Sequence, residues 1–207
     1  MHNATDNPDS AEHKDPVTEV IPQILTRRSS RAIDPDKAVS EHTLERLFEA
    51  ARWAPSAFNG QPWAYAVATT NNPELLSAAR DSLAKGNSWA LKAPVLMFSL
   101  SYKKMPSKKL IPNWLHKYEA GMATGQMALQ AAEEGLVFHQ MLGFNPFKIR
   151  KIFNIPRSYS VLSAIAIGYP GSTEELSKKH ALEETHTRTR KAIEDFSFID
   201  STCVDLK

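Results

Sequence analysis

Apolar positions along the chain fall into two kinds of segment, one with helical spacing and one in nearly unbroken runs. Leu44, Leu47, Phe48 and Ala51 recur at the three- and four-residue spacing of one helix face. Ser40 precedes them as a cap, and Val39 and Leu44 flank it as a hydrophobic staple. Leu75, Leu76, Ala79 and Leu83 repeat the pattern after Asn72-Pro73, up to Lys85-Gly86. An earlier set, Val20, Ile21, Ile24 and Leu25, predicts a buried helix face between about 16 and 28. Pro22 is awkward there unless it sits in the first turn. A long helix is expected over about 113–134, ended by Gly135. Its Gly121, Gly125, Ala128 and Ala132 form a small-residue stripe. A glycine inside a helix costs roughly 1 kcal/mol relative to Ala, which the close approach of another helix would offset. Asn145-Pro146 opens a short helix to about Phe153.

Strands are expected at 63–69, 94–100 and 161–167. The run at 94–100 is almost wholly apolar, as a strand covered on both faces would be. The strongly apolar run at 161–167 ends at Gly168-Tyr169-Pro170-Gly171. Residues 103–109 read as a basic loop broken by Pro. Three regions follow: a polar, disordered tail over 1–16, a folded domain over 17–171, and a C-terminal arm over 172–207. The arm is hydrophilic until Ile193, Phe196, Phe198 and Ile199. That apolar end has little core of its own, so it is expected to pack on another subunit.

Composition narrows the function classes. The 207 residues suit one domain, and a net charge of +2 is too small to argue for nucleic acid. No apolar run approaches the roughly 18 residues of a membrane span, and the polar N-terminus lacks a signal-peptide core. Cys203 is the only cysteine, which fits a reducing cytoplasm. No His-Glu-x-x-His, Walker A loop or Gly-x-Gly-x-x-Gly turn is present, so neither a zinc site of that type nor a Rossmann nucleotide site is expected.

Two segments carry candidate chemistry. Arg27-Arg28-Ser29-Ser30-Arg31 packs three guanidiniums and two hydroxyls into five residues. Such a group can grip a phosphate, although a solvated basic helix end is the plainer reading. Trp53-Ala54-Pro55-Ser56-Ala57-Phe58-Asn59-Gly60-Gln61-Pro62-Trp63 joins a helix to a strand through turn-forming residues, which by itself reads as a helix stop and an Asn-Gly turn.

In this order and spacing, with Gly135-Leu136, Met141-Leu142-Gly143-Phe144 and the Ile-Gly-Tyr-Pro-Gly strand end, the two segments resemble the FMN-dependent nitroreductase family. The resemblance covers about residues 18–199. It implies an α+β fold with a mixed, mainly antiparallel sheet flanked by helices, and a homodimer with FMN at the interface. Arg27, Arg28, Ser29 and Arg31 then match an Arg-x-Ser-x-Arg/Lys segment that contacts the FMN phosphate, ribityl chain and ring. Arg31 falls where a cation faces the flavin N1 and O2 edge and stabilises charge developing on reduction. Pro55, Ser56, Ala57 and Asn59 match a run that binds the flavin from the second subunit. Asn87 takes the place of an Asn beside the flavin pyrimidine, and Met141, Leu142 and Gly143 that of the segment near N5, where a backbone N–H is expected to serve. Arg188 and Arg190 match a basic pair closing over the phosphate.

The implied activity is ping-pong transfer from NAD(P)H through FMN to a small acceptor such as a nitroaromatic or quinone, with no catalytic acid or base named. Two other readings remain open. One is a reductive dehalogenase or flavin-destroying oxygenase on the same fold, which would want a substrate lid; residues 103–114 are the candidate. The other is a non-enzymatic flavin-binding or regulatory protein. His139 reads first as a packed or surface histidine, and second as a substrate contact or proton source.

Overall fold

The two most apolar runs pair with each other at the centre of a four-stranded sheet. β2 (Val95–Tyr102) lies antiparallel to β6 (Tyr159–Gly168), with Leu96 opposite Ala166 and Met97 opposite Ile165. β1 (Trp63–Thr69) flanks β2 and β5 (Val137–Met141) flanks β6, giving the order β1-β2-β6-β5 with every pair antiparallel. The register shifts between Ser99 and Leu100, beside a contact of 2.7 Å between the Ser99 and Ser163 hydroxyls. This computed structural model describes residues 20–105 and 108–200.

Alternation decides which side chains enter which layer. Leu96, Phe98 and Leu100 of β2, with Ala164 and Ala166 of β6, pack under α3 (Pro73–Arg80) and α5 (Pro146–Ile152) through Leu76, Ala79 and Ile149. Val95 and Met97, with Ile165 and Ile167, face α2 (Glu41–Arg52) and α4 (His116–Glu133) through Leu47, Ala51, Ala123, Met127 and Ala131. Both sheet faces are therefore dry, which is why the central strands are apolar without alternating. The result is a helix–sheet–helix α+β arrangement. None of the described helices is long and apolar enough to cross a membrane.

Several expectations change. The first helix is only α1 (Pro22–Thr26), with Pro22 at its first turn. Val20, Ile21, Ile24 and Leu25 are exposed rather than buried, because a helix of five residues has no full face to set into this chain's core. Residues 103–109 are not a plain loop: β3 (Lys104–Met105) and β4 (Lys108–Pro112) form a two-stranded antiparallel hairpin. β5 was not expected as a strand. The stripe residues Gly121 and Gly125 are exposed, and a Cβ on either would meet no atom within 4 Å. The close helix contact expected there is not made among the described residues. The C-terminal arm contains α6 (Lys178–Thr185), followed by exposed Ile193, Phe196 and Ile199. The tail at 1–16, the expected start of the first helix near residue 16, and Cys203 lie outside the described residues.

Candidate functional site

The arginine-rich segment leaves α1 and is fastened to the end of β6. Asp34 N–H donates to Tyr169 O at 2.9 Å, and Gly171 N–H donates to Ala32 O at 3.1 Å. The approach is too close for larger residues. A Cβ at Gly168 would lie 2.5 Å from Ile33 Cγ2, and one at Gly171 would lie 2.6 Å from the Asp34 nitrogen. The glycines of the strand end are thus what lets residues 32–34 lie against it. The segment is held from below by His139 on β5, whose Nδ1 lies 2.9 Å from Ser30 O. A carbonyl only accepts, so Nδ1 carries the proton. The imidazole also packs on Trp89, ring centroids 4.5 Å apart. Burial is the main influence lowering the His139 pKa, and the nearby Arg31 and Arg27 cations add to it, while the Ser30 bond and Glu184 oppose. His139 is therefore a packed, neutral prop beneath the loop.

The arm closes on the same segment. Arg28 Nη2 donates to Glu184 O at 2.8 Å and His186 O at 3.3 Å. Arg31 N–H donates to Glu184 Oε1 at 2.8 Å, and Arg31 Nη1 pairs with Glu183 Oε2 at 2.6 Å. Arg188 donates to the Arg27 carbonyl at 2.7 Å and to the Leu25 carbonyl. Arg27 itself is half-buried, and its own hydrogen bond runs to Ser29 Oγ at 3.3 Å. Its pKa is lowered, first by burial and then by repulsion from Arg188 and Arg190. Three guanidiniums therefore converge, and among the described residues no carboxylate pairs with Arg27 or Arg190. This arrangement suits a polyanion, which would relieve the repulsion and accept several charge-assisted hydrogen bonds. A cavity of about 250 Å³ beside Arg31, lined by Ser88, Lys92, Ser172, Glu175 and His180 among others, is a poorer anion site. Its Lys92 is already paired with Glu175 at 2.6 Å.

A third group abuts the end of β5. Gly143 O accepts from Asn87 Nδ2 and from Ala84 N–H, both at 2.8 Å. A Cβ at Gly143 would stand 2.7 Å from Asn87 Nδ2, so a larger residue there would displace the Asn87 amide. Leu142 beside it is 80% exposed, and Met141 is buried in the core.

The segment containing Pro55, Ser56, Ala57 and Asn59 lies after α2. Phe58, Asn59 and Gln61 have φ of 52°, 54° and 43°, left-handed values that non-glycine residues seldom adopt. Gln61 N–H donates to Ser56 Oγ at 3.0 Å, and Ala57 N–H donates to Glu119 Oε1 at 2.7 Å. Phe58 is 87% exposed.

The nitroreductase family model matches residues 24–92 and 72–169, which is most of the chain and includes three of the four groups just described. The chain belongs to the nitroreductase family. A crystal structure of an oxidoreductase containing FMN superposes with a TM-score of 0.79 at 30% identity, covering 96% of each chain. An FMN reductase (NAD(P)H) of Bacillus subtilis is 29% identical over 170 residues, 74% of this chain and 67% of its own. An NADH dehydrogenase of Thermus thermophilus is 27% identical over 198 residues, 81% of this chain and 95% of its own.

Of the residues expected from this nitroreductase resemblance, Arg27, Arg28, Ser29, Arg31, Arg188 and Arg190 come together in one group. Asn87 and Gly143 touch each other at a second place, with Met141 and Leu142 alongside. The hydrogen bonds of Pro55–Asn59 run within their own loop and to Glu119, not to the arginines. Reading the sequence missed Glu119, Asn113, Glu183 and Glu184. Glu119 left a signal: Ala123, Met127 and Ala131 follow at helical spacing, which puts the acid on the buried face of α4. Glu183 and Glu184 left none, because their contacts span more than 150 residues of sequence.

Proposed function

We propose that the protein is an NAD(P)H-dependent FMN oxidoreductase that passes electrons, in ping-pong order, to a small organic acceptor such as a nitroaromatic or quinone. The observation that carries this reading is the convergence of Arg27, Arg188 and Arg190 with no carboxylate paired to Arg27 among the described residues. Bound FMN would supply the two-electron chemistry. The donor set fits its single terminal phosphate: each charge-assisted hydrogen bond contributes about 1.5–3 kcal/mol, and micromolar affinity requires about 8 kcal/mol. Arg28 and Ser29 complete that cradle. Arg31 keeps guanidinium donors beyond the one on Glu183, and its positive charge is available to the pyrimidine edge of the ring. Asn87 is assigned to the same edge, and the backbone at Leu142–Gly143 to the ring's reactive face.

Pro55, Ser56, Ala57 and Asn59 are assigned to the flavin of a second copy, because their contacts run away from this chain's own arginines. The protein would thus work as a homodimer with two shared sites, its 193–199 end resting on the partner. A cytoplasmic location agrees with an NAD(P)H donor. The purified protein should be yellow, and heat should release FMN that chromatography identifies. Release of FAD, or failure to take up FMN supplied in excess, overturns the reading.

A further inference from the structure

We infer that Glu119 is a positioning residue for the flavin site, holding the Pro55–Asn59 loop and tying it to the base of the β3–β4 hairpin. The inference rests on the FMN reading above. Glu119 is 1% exposed, on the face of α4 that packs into the core. A carboxylate persists in such a place only if its oxygens are satisfied. Here Oε1 accepts from Ala57 N–H at 2.7 Å and Oε2 accepts from Asn113 Nδ2 at 2.8 Å. The first bond reaches the loop assigned to the cofactor. That loop carries left-handed φ values at Phe58 and Asn59, and Gln61 just beyond it a third, a backbone shape that must be held by its surroundings. The second bond reaches the hairpin: the buried Asn113 also donates its backbone N–H to Lys103 O at 2.8 Å, across the hairpin base. The Asn113 amide cannot turn over without loss, since its Oδ1 accepts from Leu115 N–H at 3.0 Å. Packing alone would favour an apolar residue at 119, as at Ala123, Met127 and Ala131 on the same face.

The donor–acceptor pattern allows a swap. In Glu119→Gln the side-chain oxygen can still take Ala57 N–H, but its NH₂ then faces Asn113 Nδ2, donor against donor. In Asn113→Asp two carboxylates face each other. In the double variant the new amide on α4 donates to the new carboxylate at the hairpin base, and every other bond of the pair is restored. FMN titration by fluorescence quenching, with thermal melts of the same samples, tests this. Each single variant should raise the FMN Kd about tenfold or more, and the double variant should recover wild-type affinity within about threefold. Single variants with unchanged Kd and only a lower Tm overturn the inference. So does a double variant that binds no more tightly than Asn113→Asp, a comparison that stands even if Glu119→Gln does not fold. Wild-type protein that takes up no FMN overturns the flavin reading and this inference together; normal wild-type binding with indifferent variants overturns this inference alone.

Discussion

Arg31 and Arg190 keep different company, and their substitution should have different effects. Arg31 is paired with Glu183, whereas among the described residues Arg190 donates to the Thr189 carbonyl alone, at 2.7 Å. Removing Arg31 takes a cation from the assigned ring edge and leaves the nearby Glu183 carboxylate with Lys179 Nζ, 3.9 Å away, in place of the 2.6 Å pair. Arg31→Ala should therefore lower the flavin's two-electron potential by some tens of mV, where about 30 mV is tenfold in the equilibrium. Its FMN Kd should change little. Arg190→Ala should do the reverse, weakening FMN about tenfold or more with the potential nearly unchanged. Spectroelectrochemical titration beside FMN binding distinguishes them, and matching profiles for the two variants would show the assignments to be wrong.

At the level of elements, the helices that could be foreseen are those with local stop and start signals. Ser40 Oγ accepts from Thr43 N–H at 3.0 Å, Asn72 Oδ1 from Leu75 N–H at 3.0 Å, and Asn145 Oδ1 from Phe147 and Lys148 N–H, both at 3.0 Å. Each bond spans three residues or fewer, so the sequence displays both partners. Ser40→Ala should cost about 1 kcal/mol and lower Tm by about 2–4 °C in a chain of this length, with FMN affinity unchanged. A melt within error of wild type would show that the cap contributes nothing. The hairpin and β5 were illegible for the opposite reason. β5 is short and one of its residues, His139, serves the arginine loop, so it lacks a clear apolar alternation. The β3–β4 pairing is decided by Lys103 and Asn113 meeting across ten residues.

The whole molecule presents apolar surface that the described residues leave uncovered. Trp114, Leu115 and Tyr118 are exposed at the start of α4, Gly121 and Gly125 are open further along it, and Ile193, Phe196 and Ile199 are exposed on the arm. Patches of this kind mark interaction surfaces. Gly125→Leu is an informative probe because none of the described residues stands in its way. Helix propensity would even favour the change by somewhat less than 1 kcal/mol. Its effect therefore reports on a partner: overpacking at a helix contact should cost about 1–3 kcal/mol of dimer stability, and FMN affinity should fall with it by mass action. Sedimentation beside FMN fluorescence reads both. A folded Gly125→Leu monomer with full FMN affinity would refute a shared site, and an unchanged dimer would refute only the placing of α4 at the interface.

The sequence by itself determined the helix caps, the two buried central strands and the order of the arginine, Pro-Ser-x-x-Asn and Gly-Phe segments. These depend on neighbours a few residues apart and on the apolar character that a doubly covered strand requires. Only the tertiary structure decided which groups meet. Arg27 faces Arg188 and Arg190 from the far end of the chain, Glu183 reaches Arg31, His139 supports Ser30, and Glu119 finds Ala57 sixty-two residues away. Such encounters are set by how the sheet stacks its helices and where the arm returns. No local pattern encodes them, because each of these interactions, attractive or repulsive, arises only once both ends have been brought to the same place.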